Sequence, residues 1–416
     1  MSEVGRPPPV SMVRLAAICY LLKSEAPSKS LALESLPRSN ILCVALVNLI
    51  LPSSLETNPV PYIAVTTADR RLHLVDSRSP NFSAVQTFSS FQDSPILDLV
   101  VIECRYLLLA SMSGRLLLYD TKTEKVLDQR KDHRKYVVKL AKWSVNSTTI
   151  IGTIGWDAKV FVYRFRTDGF DIPQLGDPIA TMTTSSIPES LLFVQPANRA
   201  FPVLVLTRRD STFLYYYVLS SIGADKSDIV PLGKQNLAPQ SNAWVAFTPA
   251  DIQICPVDAS IVAVATSSTP HMKLQIVRLL IPPEETADAD RNQQEPVTHA
   301  SQTRTDRLLQ DKEEAAIIVN TSTMAPQTAY STPRLVWRPD GSGVYVSSDD
   351  GVVRGFEAST GKLSATLEAH EPGSKIRCLW AGRLQVKSRH GRDSPDEEEV
   401  LLSGGFDQRV VLWKTA

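Results

Sequence analysis

The chain reads as all-β, built from antiparallel hairpins of one repeated design that close into a ring. Three observations support this. Short apolar segments rich in β-branched and aromatic residues alternate with tight polar turns. One hairpin pattern recurs from residue 62 to the last strand. The turns of successive copies, at Asp69, Ser113, Asp157, Asp210, Asp350 and Asp407, recur at intervals of 44, 44, 53 and 57 residues apart from the long stretch between Asp210 and Asp350, close to the ~40 to 45 residues of one repeat unit. That spacing suits a four-stranded unit.

The clearest copy is the last, Val400-Leu401-Leu402-Ser403-Gly404-Gly405-Phe406-Asp407-Gln408-Arg409-Val410-Val411-Leu412-Trp413-Lys414. Small residues sit on its first strand, an Asp at its turn and an aromatic near its end. It resembles the WD-repeat family, whose unit Ser-Gly-Ser-x-Asp-Gly-x-x-x-x-Trp-Asp builds one blade of a β-propeller. The resemblance implies a seven-bladed β-propeller of four-stranded antiparallel blades over residues 28–416. It also implies a buried hydrogen-bonded tetrad of His370, Ser403, Asp407 and Trp413, and a second of His133, Thr153, Asp157 and Tyr163. A buried carboxylate and imidazole are tolerated only when partnered, so both tetrads are expected to be structural.

The elements follow in order. Residues 1–27 form an N-terminal extension, polar through Pro7-Pro8-Pro9 and then loosely helical in spacing from Val10 to Lys23. Ser30 to Glu34 places Leu31 and Leu33 at period two, before the apolar run Ile41 to Leu51. This N-terminal strand is expected to complete the blade begun at the C-terminus, removing two exposed sheet edges. Hairpins follow at Tyr62–Asp76, Leu107–Asp120 and Ile150–Arg164. Val203–Tyr217 is a degenerate fourth copy, and Ile261–Leu280 a fifth in which Pro270 interrupts the hairpin. Leu335–Glu357 is the sixth, with Trp337-Arg338-Pro339-Asp340-Gly341. Residues 282–314 lack aromatics and read as a solvated or disordered loop; residues 387–399, basic then acidic, read as a second insertion. Ser394-Pro395 within it is a candidate phosphorylation site.

Composition excludes several function classes. Lys plus Arg and Asp plus Glu both number 44, so no global field draws the chain to nucleic acid or anionic membrane. The five Cys are scattered without CxxC spacing, which predicts reduced thiols rather than disulfides or zinc, and an intracellular protein of cytoplasm or nucleus. The apolar run Leu15–Leu22 after Arg14 is too short for a membrane span and no small-residue cleavage site follows it. No phosphate cradle, nucleophile elbow or metal-ligand spacing appears, so neither catalysis, cofactor nor metal is expected.

A non-catalytic scaffold is the remaining reading, with protein or peptide partners held by loops on a rigid support within a multiprotein complex. Residues beside the hairpin turns are the candidate contacts: Arg70 and Arg71, Trp156, Arg208 and Arg209, and Phe406. Two narrower alternatives come from the resemblance. Val75-Asp76-Ser77-Arg78 and Tyr163-Arg164-Phe165-Arg166 partly match the Trp-Asp-x-Arg blade end of cullin-ligase substrate receptors. Thr207-Arg208-Arg209-Asp210 partly matches the Phe-Arg-Arg-Gly motif of phosphoinositide-binding propellers.

Overall fold

The computed structural model describes residues 27–414 apart from 28, 34–35, 37, 53–57, 80–81, 90–92, 147, 167–172, 241–246, 285–298 and 387–395. Residues 1–26 of the N-terminal extension, 285–298 of the first insertion and Ser394 therefore lie outside the described residues.

The first strand, β1 (Lys29–Ala32), belongs to the last sheet. Blade one is β2 (Ile41–Leu49), β3 (Val60–Thr67), β4 (Leu72–Asp76) and β5 (Ala84–Phe88). Blade two is β6 (Ile96–Ile102), β7 (Tyr106–Ser111), β8 (Leu116–Asp120) and β9 (Lys125–Arg130). Blade three is β10 (Val137–Val145), β11 (Thr148–Gly155), β12 (Lys159–Phe165) and β13 (Ala180–Thr183). Blade four is β14 (Pro188–Val194), β15 (Val203–Arg208), β16 (Phe213–Leu219) and β17 (Ile229–Asn236). Blade five is β18 (Thr248–Ile254), β19 (Ile261–Ser267), β20 (His271–Arg278) and β21 (Ile317–Pro326). Blade six is β22 (Leu335–Trp337), β23 (Gly343–Val346), β24 (Val352–Glu357) and β25 (Leu363–Glu368). Blade seven is β26 (Ile376–Val386), β27 (Asp396–Gly405), β28 (Val410–Lys414) and, from the other end of the chain, β1. The architecture is a seven-bladed β-propeller with four-stranded antiparallel blades.

Burial within a blade explains the sequence pattern. The second and third strands are covered on both faces by neighbouring blades, so they read as continuous apolar runs; all residues of β7 and β8 are buried. The outermost strand faces water, and β9 carries Lys125, Asp128 and Arg130 with no fully buried residue. The core is accordingly a ring of interblade seams rather than one cluster. Leu49, Leu72, Leu107 and Leu109 fill the seam between blades one and two. Tyr345, Val353, Leu401 and Trp413 fill that between blades six and seven.

Closure occurs where expected. In β1, Ser30 stands opposite Trp413, Leu31 opposite Leu412 and Ala32 opposite Val411, and the Leu33 amide donates to the Val410 carbonyl at 2.9 Å. The two leucines, however, do not share a face. Leu31 is 43% exposed whereas Leu33 is buried against Ile41, Leu402 and Leu412. The strand ends at Ala32, so the period-two rule does not extend to Leu33.

Three sequence readings are corrected. Within 282–314 the chain is not all loop: α1 (His299–Ala316) covers its end, held by Glu313 accepting from the Asn236 amide at 2.7 Å and Gln310 donating to the Pro239 carbonyl. Its few apolar residues gave no amphipathic stripe to read. The second insertion is shorter than 387–399, because Asp396–Glu399 belong to β27 and pair with Arg383–Val386. Glu399 there is buried and forms a bidentate pair with Arg338, Nε to Oε1 and Nη2 to Oε2 both at 2.8 Å, linking blades six and seven. Pro270 does not interrupt the fifth hairpin; it lies in the turn between β19 and β20, outside the ladder.

Two predictions follow from closure and from this pair. Removing residues 28–36 exposes the β28 edge and the seam under Leu33, so the melting temperature should fall by several degrees or more, and a deletion melting like the full chain would show the ring closes by other contacts. Glu399→Leu should cost about 3 kcal/mol in urea unfolding by removing the bidentate carboxylate from Arg338 and leaving it the more distant Asp340 at 3.8 Å, with much of the loss recovered in Arg338→Met/Glu399→Leu.

Candidate functional site

Each inner strand begins on the face where the turn between the second and third strands of its blade also lies: Ile41 pairs with Thr67, Val137 with Gly155 and Ile376 with Gly405. This turn face carries both the tetrads and the candidate contact residues.

The blade-seven tetrad is complete. Trp413 Nε1 donates to Ser403 Oγ at 2.9 Å, Ser403 Oγ lies 2.8 Å from His370 Nε2, and His370 Nδ1 lies 2.9 Å from Asp407 Oδ2. An ionised carboxylate only accepts, so Nδ1 donates to Asp407, and a neutral imidazole then presents Nε2 as acceptor to the Ser403 hydroxyl, whose oxygen accepts from the indole. Burial would raise the Asp407 carboxyl, but hydrogen bonds from His370 and from the Glu371 and Arg409 amides hold it below the usual carboxylate range. In blade three, His133 lies 2.9 Å from both Asp157 and Thr153, as expected. Tyr163 departs from the expectation. Its hydroxyl donates to Asp132 at 2.9 Å, beside Arg130, rather than to Thr153. The phenol hydroxyl stands at the far end of its ring and passes beyond the threonine that an indole N–H would meet.

The inner strands share a second device. In six blades the register with the second strand shifts after the first or second residue of the pairing, the mark of a β-bulge, as at Ile41/Cys43, Val137/Lys139 and Ile376/Cys378. The residue after the bulge then staples neighbouring blades. Asp98 accepts from the Leu140 amide at 2.7 Å, Ser190 Oγ from the Ile252 amide, and Asp251 from the Leu335 amide at 3.2 Å. The bulged residues themselves are Leu42, Leu97, Val138, Glu189, Ala250 and Arg377. Burial pushes the Glu189 carboxyl up against the pull of Arg209, which it binds at 2.7 Å.

Two adjoining clefts open on this face. One, of about 510 Å³, is lined by Trp156, Glu189, Arg209, Tyr330, Arg334 and Arg377, among others. The other, of about 770 Å³, includes Arg208, Phe213, Tyr215 and Phe247, and shares Asp210, Thr248 and Ser267 with the first. Of the expected contact residues, Trp156, Arg208 and Arg209 are thus brought together. Trp156 is 37% exposed, stacked on Tyr136 at 4.9 Å, with the Arg209 guanidinium 5.9 Å from its ring. Arg208 lies 3.8 Å over Tyr215 and bonds Ser185. Phe406, 41% exposed, and Arg70 and Arg71, both exposed, line neither cleft; Arg71 pairs with Asp69. The partial ligase motifs are internally engaged as well, Asp76 accepting from Arg78, and Arg164 and Arg166 converging on Asp225.

With that geometry in place, comparison with known families is informative. A family model described as "UCP007778, beta-propeller domain" matches residues 42–413. The chain belongs to this family. No curated protein matches it. The matched span runs from blade one to the last strand of blade seven and omits only β1 among the propeller's strands.

Glu189, Tyr330, Arg334 and Arg377 were not anticipated from the sequence. For Glu189 and Arg377 the signal was available in principle, as a charged residue inside an apolar inner strand, in Ile376-Arg377-Cys378-Leu379 for example, whereas Tyr330 and Arg334 lie in the loop before β22. Without knowledge of the bulge, such residues read as the polar half of an alternating strand. Among the described residues no helix is long and apolar enough to cross a membrane.

The tetrads generate a pH prediction. Asp157 and Asp407 titrate lower in the folded chain than the roughly 3.9 of an unfolded Asp, so their stabilisation is full above about pH 4 and is lost as pH falls through the folded values. Thermal melts should therefore drop below about pH 4, and Asp407→Asn should be less stable near neutrality, by about 1 to 3 kcal/mol, yet fall less steeply in acid.

Proposed function

We propose that this propeller is a non-catalytic interaction scaffold of the WD-repeat type, holding protein or peptide partners on its turn face within a multiprotein assembly of the cytoplasm or nucleus. The observation that carries this reading is the pair of adjoining clefts across blades three to seven, edged by an exposed Trp156 already stacked on Tyr136 and flanked by Arg209. Such an arrangement favours binding. Trp and Tyr bury large area with few rotors to immobilise, Arg adds a planar guanidinium with several donors, and the blades beneath hold their backbone fixed. The complete His370–Ser403–Trp413 hydrogen-bond chain supports the WD-repeat assignment.

The reaction-bearing alternatives have less behind them. The His and Asp residues within hydrogen-bond distance of one another, His133 with Asp157 and His370 with Asp407, are fully covered and satisfied by their tetrads. The arginines of the phosphoinositide-like stretch are engaged with Ser185, Tyr215 and Glu189, which takes away the loose basic patch a lipid headgroup would need.

Affinity purification of the tagged chain with mass spectrometry supplies the partners, and variants then test the face. Trp156→Ala should weaken partner binding by at least about tenfold while shifting the melting temperature little, as an exposed hot-spot residue does. Phe406→Ala, outside both clefts, should have a smaller effect. If Trp156→Ala lowers the melting temperature strongly and leaves binding intact, this face is not the docking surface. Recovery of a cullin adaptor would turn the reading toward a ligase receptor.

A further inference from the structure

We infer that Arg377 is the anchor for an acidic side chain of a bound peptide, which enters the cleft between Trp156 and Tyr330. This rests on the turn face being the partner surface and specifies the chemistry it selects.

Arg377 occupies the bulge position of β26, where four other blades place Leu42, Leu97, Val138 and Ala250. A guanidinium there is costly. Its Nη1 is buried and has no hydrogen-bond partner, and a buried donor left unmet costs more than a typical hydrogen bond returns. Burial, and then the like charge of Arg334, push its pKa down to about 10, so the surroundings oppose the charge they contain.

The nearby charges are otherwise matched. Asp98 is occupied by the Leu99 and Leu140 amides. Asp251 accepts from Ser190 and from the Leu335 amide, and stands 3.6 Å from both Lys139 and Arg334. Glu189 is taken by Arg209. Three carboxylates thus face Lys139, Arg209, Arg334 and Arg377, and Arg377 is the surplus. On the rim Asp210 and Arg208 add one charge of each sign.

A surplus of one charge selects the ligand. A carboxylate closes the balance, whereas a phosphate dianion would leave net negative charge beside Glu189 and Asp251 in a cleft of about 510 Å³. Trp156, 37% exposed, and Tyr330, 89% exposed, offer apolar surface at the entrance, which suits a peptide rather than a free small anion. Arg377 keeps a buried, unmet Nη1 donor where an apolar residue would be expected to stabilise the fold, and a bound carboxylate would supply the missing acceptor.

The test uses the full chain, Arg377→Met and Arg377→Gln, with a displayed random-peptide library as probe. The intact chain should select peptides sharing an Asp or Glu. Changing that residue to Gln, or Arg377 to Met, should each weaken binding by roughly 10- to 100-fold, and the two changes together should cost little more than either alone. Arg377→Met should melt at the same temperature or higher, a result that a structural arginine would not give.

If both variants melt well below the intact chain, Arg377 is structural and the inference fails. If peptides are selected without an acidic preference, or equally by Arg377→Met, only water meets Arg377; the inference fails while the partner face stands. If phosphoserine in place of the acidic residue binds tighter, the carboxylate assignment is overturned. If no peptide is selected at all, the reading of the face fails and takes the inference with it.

Discussion

Four residues of backbone pairing hold this molecule in a ring. Lys29–Ala32 are the outer strand of a blade whose other three strands lie at the opposite end of the chain, and Leu33 seals the seam beneath them. Without them β28 would present an open edge, and the seam shared by blades seven and one would be partly wet. The most complete tetrad stands beside this closure: Trp413, its indole donor, is the residue opposite Ser30. Ring closure and tetrad therefore support the same strand from its two sides. The Arg338–Glu399 pair ties the preceding blade to this one, so the junction of the two termini is reinforced by three kinds of contact.

The inner strands serve two purposes at once. Their bulges allow one side chain to staple the neighbouring blade through Asp98, Ser190 or Asp251, and place another, at Val138, Glu189, Ala250 or Arg377, in the lining of the cleft. In most blades the bulged side chain is apolar. Glu189 and Arg377 break that rule on blades four and seven, and the cleft opens beside them. The cost is tolerable because the staples and seams around them are saturated. Backbone geometry common to every blade thus becomes a place where single substitutions can install specificity without altering the fold.

The reading as an interaction scaffold draws on this separation. The paired histidines and carboxylates are spent on the tetrads, while Trp156, Tyr330, Arg208 and Arg209 gather at two adjoining clefts on one face. Those clefts run from blade three to Arg377 on blade seven, whereas Phe406, Arg70 and Arg71 stand apart from them. The proposed partner contact therefore occupies part of the ring.

Much of the fold was legible in the chain itself. Hairpin periodicity, turn residues such as Asp157 and Asp407, and the apolar second strands specify a blade locally, because each pattern is set by backbone chirality and by burial on two faces. His370, Ser403, Asp407 and Trp413 could be named in advance since their spacing spans one hairpin. The partner of Tyr163, the inward turn of Leu33, the helix over His299–Ala316 and the pairing of Arg338 with Glu399 could not, since each depends on how far a side chain reaches across a seam. Arg377 marks the division most sharply. The sequence determined that a charged residue would interrupt an apolar strand, but only the tertiary structure decided that a bulge places it in the cleft, where Asp98, Asp251 and Glu189 already have partners.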